Sequence, residues 1–503
     1  MGLGAAAVLL AVAAPLGAAT EEAKLTDPAG TIDDFLGTSV AVSGGTLLAG
    51  AYLDTGSFDR DGSATLFERD PGGAEPWVLA RKLVAADPSV AAFFGFSVDL
   101  DGNTAVVGAY GADAAYVFER DLGGAENWGQ AARLTGSDTL PGDQFGISVA
   151  IDGDVVVIGS HRHGEIGQQA GSAYVFERDQ GGADAWGEVG ELLASDGADF
   201  DAFGRAVAVS GDRIAVGSIL HDATGAVYLY ERAPAPLAGW VEATTLTPSD
   251  EGGRFGFSVA IDGDTVLAGA NLNSNSNGTA AGAAYVFERD QGGPGAWGEV
   301  AKLVASDGGA FEEFGECVAL EGDVALVGAE EHNLVRGAVY VYERDAGGED
   351  AWGETSEIEA SDGEIGDACG ASVDLSGNTM VTGAPGVDDP LDDSGAVYVI
   401  LMDAALWLTG VCPGPLTVGV AGVTPGADIV LAWSPDLGDS TVPVGVCEGT
   451  PLDLATPAPL GTLPADASGQ VSFSANAPET ACGARLQALD LDTCGVTNTA
   501  QVP

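Results

Sequence analysis

The side chains able to do acid–base, metal or nucleophilic chemistry in this 503-residue chain are unevenly supplied: four histidines, three lysines, six cysteines and 75 acidic groups. All four imidazoles, His161, His163, His221 and His332, fall in loops between apolar runs. His161-Arg162-His163 has the His-x-His form of a metal-ligand pair, but further ligands are unassigned and polar loop residues read the same way. Two loops carry partial calcium spacing: Asp59-x-Asp61-Gly62 preceded by Ser57, and Asn273-x-Asn275-x-Asn277-Gly278. Neutral Asn and Ser weaken the charge that holds Ca2+ there. Carboxylates are plentiful enough to supply a glycosidase-like acid and base, and for the same reason no pair stands out. A Walker loop is excluded because none of Lys24, Lys82 and Lys302 follows a glycine. No His-Glu-x-x-His, Gly-x-Ser-x-Gly or cysteine–histidine nucleophile pattern occurs.

These side chains are carried by a unit that occurs seven times, anchored at Gly37, Gly95, Gly146, Gly204, Gly256, Gly315 and Gly370. In the fifth unit Ser258-Val259-Ala260-Ile261 and Thr265-Val266-Leu267-Ala268-Gly269-Ala270 flank Asp262-Gly263-Asp264, a hairpin signal because glycine supplies a positive φ. These are strands a and b. Strand c, Ala284-Tyr285-Val286-Phe287-Glu288-Arg289-Asp290, alternates apolar and polar residues, and strand d starts at Trp297 after Gly292-Gly293. Strand d equivalents start at Trp77, Trp128, Trp186, Trp240 and Trp352, which leaves the seventh unit without one. Glu21-Glu22-Ala23-Lys24-Leu25 matches Glu299-Val300-Ala301-Lys302-Leu303, so the N-terminus is expected to complete the last unit beside Tyr398-Val399-Ile400. Radial repetition of four-stranded sheets hides strand edges. The fold class is therefore all-β: a seven-bladed β-propeller over residues 20–403, followed by a small β-sandwich over 404–503.

The units resemble FG-GAP repeats, which form the propeller at the N-terminus of integrin α chains. The motif residues are Phe255-Gly256 with Gly269-Ala270, and further Phe145-Gly146 and Ala384-Pro385. The resemblance implies a propeller, an adhesive or binding role and, in calcium-binding members, an Asp-x-Asp-x-Asp-Gly loop between strands a and b. This chain departs from that loop in every unit, carrying only Ser43-Gly44, Asp101-Gly102, Asp152-Gly153, Ser210-Gly211, Asp262-Gly263, Glu321-Gly322 or Ser376-Gly377. Two residues in a tight turn cannot wrap an ion that wants six to eight oxygens. No cofactor is assigned; Ca2+ stays a candidate only at Asp59 and Asp61 and at Asn273, Asn275 and Asn277.

Residues 2–19 are uncharged, rich in Ala, Leu and Val, and end in Gly17-Ala18-Ala19, the pattern of a secretory signal over residues 1–19. Pro15 and the Ala/Gly content argue against a membrane anchor. The expected location is secreted, extracellular or at the cell surface, with no membrane insertion after cleavage. Past Asp403 the repeat vocabulary stops, and apolar runs such as Leu416–Val420 and Ile429–Trp433 are split by Pro, Gly and Asp. Cys412, Cys447, Cys482 and Cys494 allow three pairings, of which 412–447 and 482–494 are the expected one in an exported chain. Cys317 and Cys369 replace a consensus Ser and a consensus Phe in adjacent blades and are candidates for a bridge between them. Residues 20–403 hold 66 acidic and 17 basic groups, a balance that repels nucleic acid and anionic membrane.

In a four-stranded blade the b–c and d–a loops emerge on one face. The four histidines should therefore share a rim with Asp54, Asp59 and Asp61 of blade one and Asp388, Asp389, Asp392 and Asp393 of blade seven. Three residues before the anchoring glycine stand Asp34, Asp143, Asp201, Glu312 and Asp367, expected either to ring the axial mouth or to cap backbone N–H groups in their own turns. The repeated Glu-Arg-Asp of strand c (Glu-Arg-Ala at Arg232), with Arg69, Arg120, Arg178, Arg232, Arg289 and Arg344, is expected to pair with carboxylates near the c–d turn. The function expected is that of a secreted, monomeric, non-enzymatic binding or adhesion protein that engages an extracellular protein or glycan through the b–c/d–a face. The rival readings are a carbohydrate-active hydrolase or lyase using paired carboxylates on that face, and a structural surface-layer component.

Overall fold

The computed structural model describes residues 19–402, except 70–75, 181, 183–184, 234–238, 292, 349–350 and 390, together with nine strand segments between Ala405 and Gln501. Seven four-stranded antiparallel sheets follow one another around a ring. In blade five the strands are Val259–Asp262, Thr265–Ala270, Ala283–Arg289 and Trp297–Leu303, paired in that order. In blade seven Ser372–Ser376, Thr379–Ala384 and Ala396–Leu401 are completed by Thr20–Leu25, with Ala23 opposite Val399 and Lys24 opposite Tyr398. The N-terminal strand therefore closes the ring. Leu25 is buried there in a cluster with Val397, Val399, Leu47 and Phe67.

The anchoring motif shows why the pattern repeats. Phe94, Phe145, Phe203, Phe255 and Phe314 are almost wholly buried between adjacent blades. Each packs on the strand-c tyrosine of its own blade, as Phe255 does on Tyr285 at 5.5 Å between ring centres. Burial of one such ring contributes about 1.5–3 kcal/mol. The glycine that follows sits at positive φ, 90° at Gly95, and a Cβ on it would run into the carbonyl oxygen of Ser63.

A second repeated device lies at the a–b turns. Each turn's polar side chain accepts a hydrogen bond from the turn-glycine amide of the following blade. Gly102 N donates to Ser43 (3.0 Å), Gly153 N to Asp101 (2.7 Å), Gly211 N to Asp152 (2.5 Å) and Gly263 N to Ser210 (3.1 Å). Gly322 N then donates to Asp262 (2.7 Å), Gly377 N to Glu321 (2.8 Å) and Gly44 N to Ser376 (3.1 Å), which completes the circle. The Glu-Arg-Asp arginines add links on the same side. Arg232 pairs with Glu177 of the preceding blade at 2.7 Å and stacks on its own Trp240; Arg178 and Arg344 repeat this with Glu119 and Glu288.

The expected Cys317–Cys369 bridge is corrected: both are free thiols. Cys317 does the work of the serine it replaces, donating to the Gly370 carbonyl at 3.0 Å as Ser258 donates to that of Gly315 at 2.9 Å. Cys369 fills the phenylalanine position and is fully buried among Val341, Val373 and Tyr398. The segment 1–18 and Cys412, Cys447, Cys482 and Cys494 lie outside the described residues. Beyond Met402 the described strands pair antiparallel, for example Ala405–Gly410 with Gly414–Ala421 and Asp428–Ser434 with Arg485–Asp490. Among the described residues no helix is long and apolar enough to cross a membrane.

Ring closure is testable through Leu25. Leu25→Ala should destabilise by about 2–5 kcal/mol in urea unfolding, matching Leu303→Ala in blade five; a near-neutral effect at Leu25 alone would contradict closure.

Candidate functional site

Two positions beside the repeated strands vary in residue type from blade to blade, the first lining an axial cavity in every blade and the second in three. One follows the anchoring glycine: Thr38, Phe96, Ile147, Arg205, Phe257, Glu316 and Ala371. The other follows strand b: Tyr52, Tyr110, His161, Ile219, Asn271, Glu330 and Pro385. A cavity of about 410 Å³ opens at the axis, lined by strand a of all seven blades together with Phe35, Tyr52, Glu330 and Pro385.

The cavity mouth has two unlike sides. On blades one and two an aromatic wall forms: Tyr52 meets Phe96 edge-on at 5.4 Å, Phe93 stacks on Tyr110 at 5.0 Å, and Phe96 contacts Tyr110 at 4.7 Å. On blades four to six the wall is polar. The Arg205 guanidinium lies 4.3 Å from the centre of the Phe257 ring, and Asn271 Nδ2 donates to Glu316 (2.7 Å) and Glu313 (3.1 Å). Burial, reinforced by Glu316, Glu331 and Glu313, pushes Glu330 up to about 8, and burial pushes Glu316 up to about 7. His161 is driven down to about 3 by burial and by the charges of Arg205 and Arg162, and its Nδ1 has no hydrogen-bond partner among the described residues. Perturbed groups converging on one cavity mark a candidate binding site.

The backbone positions these side chains by a conformation that glycine usually takes. The residue two before each anchoring glycine, Phe35, Phe93, Gln144, Ala202, Arg254, Glu313 or Ala368, is left-handed in all seven blades, with φ between 53° and 63°. Each such residue costs roughly 1–3 kcal/mol and persists only where its surroundings fix it. Here the carbonyl of that residue caps the amide three residues on, as Phe93 O accepts from Phe96 N at 3.3 Å.

The five carboxylates expected as an axial ring do not line the cavity, and that expectation is corrected in favour of capping. Asp34 accepts from Thr31 N and Oγ1, Asp143 from Leu140 N (2.7 Å), Asp201 from Ala198 N (2.8 Å), Glu312 from Gly309 N (2.6 Å) and Asp367 from Glu364 N (2.7 Å). Three of them also hold a histidine. His163 Nδ1 lies 2.8 Å from Asp143, His221 Nδ1 3.0 Å from Asp201 and His332 Nδ1 3.0 Å from Glu312. The three imidazoles are buried rim elements rather than an exposed binding face.

At the candidate calcium positions the side chains bond to their own and adjoining loops. Asp61 is buried and accepts from the amides of Gly56, Ser57 and Phe58, while Asp59 is exposed beside it. Asn273 donates to Gly252 O (2.9 Å) and accepts from Lys302, Asn275 donates to Gly282 O (2.7 Å), and Asn277 donates to Ala305 O (2.7 Å). Their polar atoms are engaged in shaping the loops. Asp54 is buried against Lys82 at 2.6 Å and Asp389 lies 3.4 Å from Lys24. Asp388 caps the Asp393 amide at 2.9 Å, and the Asp392 carbonyl accepts from Asp33 N.

The loop face also exposes apolar side chains around the cavity. The d–a loops present Ile32, Val90, Leu140, Phe200, Phe311 and Ile365; the b–c loops present Phe58, Ile166, Leu220, Leu334 and Leu391. Single exposed apolar residues are ordinary, but a set gathered on one face around a cavity is the mark of an interaction surface.

Together these features define a seven-bladed propeller whose variable positions gather at the axial mouth of its b–c/d–a face. The FG-GAP repeat model matches residues 19–67, 77–118, 128–176, 186–230, 240–287, 297–342 and 352–400. The chain belongs to the FG-GAP repeat family; each match takes in strand d of one blade and strands a to c of the next, the first running from the N-terminal strand of blade seven into blade one. No curated protein matches the chain significantly.

The raised carboxyls set a pH dependence. Glu330 near 8, Glu316 and Glu321 near 7 and Asp99 near 6 all bind protons more tightly folded than unfolded. Their contribution is present below about pH 4 and is lost as pH rises through 6 to 8. The melting temperature should fall between pH 5 and pH 8.5 at fixed ionic strength. Glu330→Gln, which mimics the protonated acid, should raise the melting temperature at pH 8.5 and leave it nearly unchanged at pH 5. The opposite pH order in that variant would contradict the assignment.

Proposed function

We propose that this protein is an extracellular, non-enzymatic binding protein that engages a protein or glycan partner through the axial mouth and the surrounding b–c/d–a loops. The observation that carries this reading is the half-aromatic, half-charged lining of the axial cavity. Aromatic faces take the apolar side of a sugar ring or side chain, while Arg205, Asn271 and the glutamates supply directional hydrogen bonds. The family assignment supports a binding-type fold in general, and the site supplies the argument for where binding occurs. A formal charge of −57 disfavours polyanions as partners. The protein acts as a monomer in this reading, with one chain supplying the whole mouth.

A second reading is favoured by one observation. Glu316 and Glu330 are two carboxyls with raised affinity for protons in the same cavity, which suits either to the general-acid half of the pair that a polysaccharide hydrolase or lyase uses.

The test is a glycan array together with capture from the native extracellular milieu, using wild type, Tyr52→Ala and Phe96→Ala. Retention should fall more than tenfold in both variants. Retention unaffected by both, or none by wild type, contradicts the reading. Cleavage of a retained polysaccharide that is abolished by Glu330→Gln would establish the enzyme instead.

A further inference from the structure

Each blade carries one cationic or imidazole side chain at the outer part of the loop face, and it arrives by two routes. In blades one, five and seven a lysine projects from strand d, at the position paired with residue 65, 285 or 398 of strand c. Lys82 lies 2.8 Å from Asp27 and 2.6 Å from Asp54; Lys302 pairs with Asp250 and lies 2.9 Å from Asn273 Oδ1; Lys24 lies 2.8 Å from Asp362 and 3.4 Å from Asp389. The ammonium sits between the d–a aspartate and a polar residue of the b–c loop. Blade two uses Arg133 at the same strand position, 3.1 Å from Asp87.

Blade three reverses the charge there. Its strand-d residue, paired with Tyr174, is Glu191, and the b–c loop supplies His163 in the place that Asp54 holds in blade one. The imidazole is 6% exposed. Its Nδ1 is bonded to Asp143 at 2.8 Å, while the buried Nε2 has no hydrogen-bond partner among the described residues. That atom faces Asp138 Oδ2 at 3.8 Å and Glu191 Oε1 at 3.7 Å. With Glu165, these groups offer four donor atoms lying within 4.8 Å of one another. The carboxylates are themselves held in place: Tyr174 OH donates to Asp138 at 2.7 Å and Ser172 Oγ to Glu191 at 2.6 Å.

We propose that His163 Nε2 and the carboxylates of Asp138, Glu165 and Glu191 form a binding site for a divalent transition-metal ion at the rim of blade three. Three carboxylates and a nitrogen aimed at one point lack the positive charge that a lysine brings to the same point in blades one, five and seven. An imidazole nitrogen among oxygens selects Zn2+ or a similar ion over Ca2+, which takes oxygen ligands. The His163–Asp143 bond is the carboxylate–histidine contact that orients a metal-binding imidazole. Burial, with Glu165 and Asp138 alongside, raises the proton affinity of Glu191, as carboxylates crowded without a cation require. Blade six repeats the arrangement with only three donors, Asp307, His332 and Glu357.

The experiment is calorimetric titration of the chelator-stripped full chain with Zn2+, on wild type, Glu191→Lys, Glu191→Gln and His163→Gln, with melting temperatures recorded with and without the ion. Glu191→Lys installs the side chain of blade five, so it should lose one equivalent of Zn2+ while its metal-free form melts no lower than wild type. His163→Gln and Glu191→Gln should weaken the same equivalent more than tenfold, which keeps the test open if the lysine variant does not fold. The difference between variants isolates blade three from the blade-six cluster and from cysteine thiols. Unchanged stoichiometry and affinity in the folded variants, or no saturable Zn2+ uptake by wild type, would overturn the proposal.

Discussion

The structure depends on closing a circle of seven blades, because each polar a–b turn is satisfied by its neighbour. Each a–b turn glycine donates its amide to a side chain of the preceding blade, and the last donor, Gly44, reaches Ser376 across 332 residues. Ser361 likewise uses its amide and hydroxyl to bind Glu21 of the N-terminal strand, as Ser306 binds Glu354 between blades five and six. If the N-terminal strand left the ring, the edge of Ala396–Leu401 and these partners would be exposed together. The aromatic layers between blades and the axial cavity require the same closure, since both are built from facing blades.

This closure also explains why the turns hold no calcium loop. A short Asp-Gly or Ser-Gly turn places its side chain on the next blade's amide, where a longer loop would turn its oxygens inward on an ion. The a–b side of the ring is thereby used up in holding the blades together, along with the Arg–Glu–Trp links. Variation is left to the opposite face, where loop length and residue type differ from blade to blade.

The fold was legible in the sequence because its signals are local and repeated: the Phe-Gly anchor, the Asp-Gly hairpin, the tryptophan that starts strand d, and the copy of that strand at residues 21–25. The site was less legible, for a physical reason. His163, His221 and His332 drew attention as scarce titratable groups, yet each is held by a carboxylate three residues before its anchoring glycine, a pairing about twenty residues apart that no local motif records. The axial residues, Tyr52, Phe96, Arg205, Glu316 and Glu330, belong to different blades and meet only after the ring closes. The signal that could have found them was the reverse of a motif: two positions per unit that fail to repeat. Cys317 and Cys369 misled for a similar reason, since substitution at consensus positions in adjacent blades reads as a bridge, whereas each thiol takes over the contacts of the residue it replaces.

The central claim, closure by the N-terminal strand, is tested most directly by hydrogen exchange with peptide resolution on the intact chain. Residues 20–25 and 297–303 occupy the same outermost position in blades seven and five. Closure requires that their amides exchange with similar protection, far slower than unstructured peptide. Exchange of residues 20–25 at unprotected rates, while 297–303 stay protected, would contradict the account.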